Sequence, residues 1–279
     1  MSKIFIYSDL HTEYYPTKFW YDETNNLPFK VEDNSTIVLA GDIGNIDTIP
    51  LLFDKINKFY QNVKIIYVLG NHEFYDNVYE KALKKYKDIC KEYDNVYLLE
   101  NGTLVDDENK RVFIGATLWS NLELGGNVFA SSNFSETFVN DYSVIRTNTE
   151  MYCDVEERIK PNFTINLFKK SSDFIKNELN NPNYKDYKKI VVTHFLPLKD
   201  VVHKQYTNMI ETAYWASDIP NIVKDSDVWI YGHSHNNVNK KVKFDNGKEV
   251  VLIANQQGYQ NFYSNKKEIH DFIECFYIE

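Results

Sequence analysis

Two aspartates, an asparagine and five histidines recur along this chain at places where their chemistry could converge. Asp9 and His11 stand two apart in "SDLH", Asp42 follows a glycine in "LAGD", and Asn71 and His72 lie in "LGNHE". His194 closes "VVTH", and His233 and His235 stand two apart in "YGHSHNN". Only His203 and His270 fall outside this set. Imidazole, carboxylate and amide donors without a thiolate suit borderline divalent ions, manganese first, with iron, zinc or nickel as alternatives. A carboxylate shared by two such cations would hold them about 3.5–4 Å apart, the separation used by two-metal hydrolases. Any one of these groups alone reads as turn chemistry. As a series, each closing a strand, they read as a metal site.

The elements that must position these groups are short β-rich apolar runs: 3–9, 36–42, 64–71, 95–101, 111–118, 189–194 and 227–233. Their near-continuous apolarity predicts strands buried on both faces. In open α/β sheets the loops past the carboxyl ends of the strands form the ligand crevice, and the polar groups above stand there. On extended backbone, residues two apart share a side, so Asp9 with His11 and His233 with His235 are expected to aim together. The glycines before Asp42, Asn71 and His233 are expected to let the chain turn sharply. A hairpin is predicted over 240–255 around Asn246-Gly247, and a closing strand over 269–279.

Between the strands lie helical patterns. Leu52, Phe53, Ile56 and Phe59 share one face, and Val78, Ala82, Ile89 and Tyr93 another, with Asn77 and Glu80 as a capping box. Phe163, Leu167, Phe174 and Leu179 mark a third, and Ser217 or Asp218 would cap a short helix with Pro220 in its first turn. Strand and helix alternate, which means α/β. Residues 119–160 lack a firm period and read as an excursion over the mouth of the site, within one domain spanning 1–279.

A formal net charge of −9 over 279 residues, with no dense basic block, disfavours a long nucleic acid as partner. No stretch is apolar enough to span a membrane. Three scattered cysteines, Cys90, Cys153 and Cys275, suit a reduced cytoplasm better than a disulfide framework.

The ordered series "DLH", "GD", "GNHE", "H" and "GHSH", from residue 9 to 235, resembles the signature of the calcineurin-like metallophosphoesterase superfamily. The stretches "GATLW", "NDYSVIR", "THFLP", "AYWASDIPNIV" and "NQQGY" further resemble a stand-alone bacterial and phage branch. The resemblance implies two packed mixed β-sheets flanked by helices, a four-layer sandwich. It implies that Asp9, His11, Asp42 and His235 hold one divalent ion and that Asp42, Asn71, His194 and His233 hold another, with Asp42 bridging. A solvent oxygen between the ions would be the nucleophile, so that Asp42 and His72 are the catalytic residues, His72 touching the phosphate or protonating the leaving oxygen. Glu73 is expected to support its loop.

Two departures narrow the reading. Where the family's Ser/Thr phosphatases carry an orienting Asp and a phosphate-clamping Arg, this chain has Asn45 and Ile46, so an amide is left to hold the His72 ring. Where branch members carry an Arg before the last Gly-Tyr, it has Gln256-Gln257. Without such a clamp a dianionic monoester needs another cation, and Arg146 is the candidate substrate contact. The expected activity is therefore hydrolysis of a small phosphoester in the cytoplasm of a bacterial or phage-infected cell. A phosphodiester is favoured, with nucleotides and cyclic nucleotides among the candidates. The alternatives are a phosphomonoesterase and a non-catalytic binding scaffold. The sequence leaves the oligomeric state open.

Overall fold

Alternation inside the apolar runs sorts each strand's side chains to two faces, and both faces are buried. A computed structural model describes residues 2–148, 155–207, 209–260 and 271–279. In it β1 (Ile4–Tyr7), β2 (Thr36–Ala40), β3 (Lys64–Val68) and β4 (Val96–Leu98) run parallel, and β13 (Tyr277–Ile278) joins β1 antiparallel. A second sheet has the order β11 (Val238–Lys243), β12 (Glu249–Ala254), β10 (Val228–Ile230), β9 (Lys188–Thr193), β6 (Arg111–Ala116), β5 (Gly102–Asp106). Its two edge strands are antiparallel and its interior pairs parallel.

Ile4, Ile6, Val38, Ala40, Ile66 and Val68 meet Phe113, Ile190, Val192, Ile230 and Ile253 between the sheets. Phe5, Tyr7, Ile37, Leu39, Ile65 and Tyr67 point the other way, in one cluster with α2 (Thr48–Phe59) and α3 (Tyr79–Cys90). Phe53 and Tyr86 both reach the Tyr67 ring. Behind the second sheet, α6 (Pro161–Leu179) contributes Phe168, Ile175 and Leu179, with Pro161 in its first turn. The result is a mixed α/β fold of two large mixed sheets flanked by helices. A short α1 (Thr17–Tyr21) and the single-turn α7 (Thr212–Trp215) and α8 (Pro220–Val223) complete the helical layers.

Several local expectations need correction. Residues 119–160, which show no firm period, nonetheless hold in their described part α4 (Val128–Phe138), α5 (Asp141–Val144) and a ribbon of β7 (Arg146–Asn148) with β8 (Glu156–Arg158). The 102–106 strand went unread because it is an edge strand and only partly buried. The Asn77/Glu80 capping box does not form. Glu80 instead accepts the Thr147 hydroxyl at 2.7 Å, and the Asn77 amide donates to the Tyr75 carbonyl at 2.8 Å. Neither Ser217 nor Asp218 caps α8, because Ser217 accepts the Asn121 N–H and Asp218 pairs with Lys199.

Cys90 and Cys275 are free thiols. Cys153 and His270 lie outside the described residues, and of the closing strand predicted over 269–279 only Tyr277–Ile278 is strand within the described part, 271–279. Among the described residues no helix is long and apolar enough to cross a membrane.

Candidate metal centre

The polar residues collect where β1, β2, β3, β9 and β10 end, but not through extended backbone. Asp9, His11, Asp42, His233 and His235 all have positive φ, between 48° and 73°. Non-glycine residues seldom adopt this region, and its concentration here is the mark of backbone strain held at a functional site. Asp9 and His11 aim together as expected, but His233 and His235 do not. His233 turns toward Asp42 and His194, whereas His235 turns toward Asp9 and His11. Only Gly41, of the three glycines expected to turn the chain, has positive φ. Gly70 and Gly232 are required for space, since a Cβ there would strike the Asp42 and Asp9 carboxylates respectively.

Two donor groups result. In the first, Asp9 Oδ1 lies 3.4 Å from His235 Nε2, which lies 3.3 Å from His11 Nε2. In the second, His194 Nε2 lies 3.3 Å from Asp42 Oδ2 and 3.2 Å from Asn71 Oδ1. Asp42 Oδ2 also faces the first group, 3.9 Å from His11 Nε2, while its Oδ1 accepts the His72 N–H at 2.9 Å. Asp9 takes the His233 N–H on both oxygens.

The electrostatics call for cations. Asp9 and Asp42 are buried. Burial alone would raise both, yet histidines outweigh it. The His235 hydrogen bond and the His194 charge hold Asp9 below the usual carboxylate range, and His194 and His72 hold Asp42 well below it. Burial opposes charge on His194 too, but Asp42 raises it to about 10. His233 goes the other way, pushed well below the ordinary histidine value by burial and the His194 charge. Its Nε2 is buried without a hydrogen-bond partner. An unpaired imidazole nitrogen beside two buried carboxylates is what a divalent ion would satisfy, so the donor set fits the metals expected of it.

His72 is fixed from three sides. Its ring stacks on Tyr75 at 4.1 Å, its Nδ1 lies 3.4 Å from Glu13 Oε1, and its Nε2 lies 3.0 Å from the Tyr259 hydroxyl. Burial lowers it, but the Asp42 and Glu13 charges raise it to about 9. Asn45 does not hold this ring, because its side chain accepts the N–H groups of Asp47 and Thr48 at the start of α2. Glu13 supplies the carboxylate instead, and its Oε1 also lies 3.1 Å from His11 Nδ1. Sequence reasoning passed over Glu13, although it stands two residues beyond "DLH".

Asp141 and Tyr259 were likewise missed. Buried Asp141 accepts the Asn71 amide at 3.0 Å and the Tyr75 hydroxyl at 2.8 Å, and also takes the Tyr214 hydroxyl. Tyr259 stacks on His11 at 4.3 Å. Both residues fall within stretches quoted for their resemblance, which gave no hint of what they would touch. Gln256 is tied to the 234–237 turn, accepting the His235 N–H at 2.7 Å, and Gln257 accepts the Tyr15 hydroxyl.

A cavity of about 680 Å³ opens over His72, Asp42, Asn71, His233 and His235. Phe134 and residues 138–141 of the expected excursion form part of its wall, as do His203 and Tyr259. Arg146 is exposed, starts β7 beside Arg158, and is not among the residues lining the cavity. No described lysine or arginine lines it.

A family model described as calcineurin-like phosphoesterase matches residues 2–237. An uncharacterised protein of Acanthamoeba polyphaga mimivirus is 32% identical over 283 residues, which covers 92% of this chain and 91% of its own. Among solved structures, a Staphylococcus aureus protein provisionally described as a 5′-nucleotidase, in complex with alpha-ketoglutarate, aligns with a TM-score of 0.47 at 13% identity. That alignment covers 90% of this chain and 48% of the other, so this chain spans about half its length. A second solved chain aligns with a TM-score of 0.47 and 13% identity over 91% of this chain and 90% of its own.

Proposed function

The chain belongs to the calcineurin-like phosphoesterase family, which makes it a metal-dependent phosphoester hydrolase, and from that premise we propose that it cleaves a small phosphodiester with two divalent ions. The observation that carries this reading is Asp42 Oδ2, which faces His11 of one donor group and His194 of the other. Asp9, His11 and His235 would hold one ion, and Asn71, His194 and His233 the other, with Asp42 shared. Manganese is the first candidate, and the imidazole, carboxylate and amide donors equally admit iron, zinc or nickel. When bound, such ions acidify water into a nucleophile at neutral pH and draw charge from phosphoryl oxygens.

The chain's own residues supply the rest. His72 would offer a proton to the departing oxygen, and Glu13 and Tyr75 keep the ring from turning away. Glu73 fixes the loops that carry Asp42 and His72 through four hydrogen bonds. The preference for a diester rests on charge. A dianionic monoester wants a cationic clamp, and no described lysine or arginine lines the cavity. The free thiols of Cys90 and Cys275 suit a reducing, cytoplasmic compartment.

Metal-stripped protein reloaded with Mn²⁺ and offered bis(p-nitrophenyl) phosphate and p-nitrophenyl phosphate tests the reading. Faster turnover of the diester, lost in Asp42→Ala and His72→Ala, is expected. Clean, metal-loaded protein inert toward both esters and toward a nucleotide panel would point to a binding scaffold instead.

A further inference from the structure

Helix α4 is turned inside out. Asn127 starts it by accepting the Ala130 N–H at 3.0 Å, and the helix then buries Ser131 and Ser135, each 1% exposed. Two of its three phenylalanines face outward, Phe129 75% and Phe138 70% exposed, and Phe134 is half-buried. A helix that served only to cover the core would turn those side chains inward. Phe134 and Phe138, one turn apart with ring centroids at 5.0 Å, line the cavity above the donor groups. From the segment around α7 comes a second aromatic wall: Tyr206 and Trp215, centroids 5.0 Å apart at 83°, beside Tyr214.

The remaining lining mixes apolar Val139, Leu196 and Val202 with polar groups. Gln205, Asn236 and Asn140 offer hydrogen-bonding groups, and Glu211 brings a carboxylate besides that of Asp141, which is occupied by the Tyr214 and Tyr75 hydroxyls. At about 680 Å³ the cavity exceeds what a lone phosphoryl group needs and falls in the range that encloses a drug-sized ligand. Aromatic faces reward a flat ring, amide groups reward its heteroatom edge, and Glu211 penalises additional phosphates.

We infer that this outer part of the cavity seats a planar, uncharged, nucleobase-like ring carried by the phosphoester, with Phe134, Phe138, Tyr206 and Trp215 as its stacking wall. The inference rests on the hydrolase reading only for the identity of the attached group, and it selects nucleoside phosphoesters over sugar phosphates and polyphosphates.

Two diesters that release the same p-nitrophenolate test it on manganese-loaded enzyme: thymidine 5′-p-nitrophenyl phosphate and methyl p-nitrophenyl phosphate. KM for the thymidine ester should be lower by about tenfold or more, the worth of one stacked base. That ratio should collapse in Phe138→Ala and in Trp215→Ala. A ratio near unity that neither substitution moves overturns the inference. Saturation-transfer NMR with thymidine 5′-monophosphate gives a readout without turnover. Transfer to the base protons is expected, weakened in Phe138→Ala, and its absence overturns the inference. Base transfer in a protein that cleaves neither ester would sustain the ring seat and sink the hydrolase reading alone.

Discussion

Glu73 Oε2 accepts the backbone N–H of Asp42 at 3.0 Å across 31 residues of sequence, so the loop after β3 holds the loop after β2. Its carboxylate also takes the N–H groups of Gly70 and Ile43 and the Tyr67 hydroxyl. Burial and the Asp42 charge push Glu73 up to about 7, against these donors. All four partners donate, so a glutamine amide would turn its own N–H groups on two of them. Glu73→Gln should cost about 3 kcal/mol, a fall of roughly 6–12 °C in melting temperature. A variant that melts with the wild type would show that these bonds do not hold the loops.

His72 and Glu13 should separate by leaving group. If His72 protonates the departing oxygen, His72→Ala loses about 100-fold or more in kcat for a phenyl ester and much less for a 2,4-dinitrophenyl ester, whose oxygen leaves unaided. Glu13→Gln, which still holds the ring but with a weaker partner, should show the same pattern at smaller size. Equal losses on both esters would assign these residues to binding.

The metal-free protein should weaken as pH rises. His72 and His194, at about 9 and about 10, keep protons when folded that an unfolded histidine near 6.5 releases. Their folded-state values are raised, so their contribution is complete below about pH 6.5 and is lost as pH climbs toward 9 and 10. Melts in chelator should therefore fall between about pH 6.5 and 8.5. With metal in place of the His194 proton, the decline should shrink. A chelated protein whose melting temperature rises over that interval would contradict the assignment.

Asp141 should act through Asn71. The Asn71 amide donates to Asp141, which leaves Oδ1 turned toward His194 Nε2. Asp141→Ala frees the amide to rotate and should weaken metal binding by about 10- to 100-fold, measured by competition with a chelating dye. Unaltered affinity would reduce Asp141 to a partner of Tyr75 and Tyr214.

The strands and the donor residues were legible because buried strands are written as local apolar runs and because the donors are rare types at strand ends. The left-handed backbone at Asp9, His11 and His235 was not, since no spacing rule distinguishes an extended pair from a coiled one. Asp141 escaped because a buried aspartate on a four-residue helix has no periodic signature, and its partner Asn71 lies 70 residues away. Phe134 and Phe138 escaped because they lie within 119–160, where no firm period marked a helix, although α4 carries both.

The most direct measurement is the number of metal ions per chain, by elemental analysis and calorimetric titration of stripped protein. Two equivalents of Mn²⁺ are predicted, with Asp42→Asn losing affinity at both sites and losing turnover. A chain that takes up at most one ion, or an Asp42→Asn variant that binds two ions as tightly and hydrolyses as fast as the wild type, would contradict a centre built around one shared aspartate.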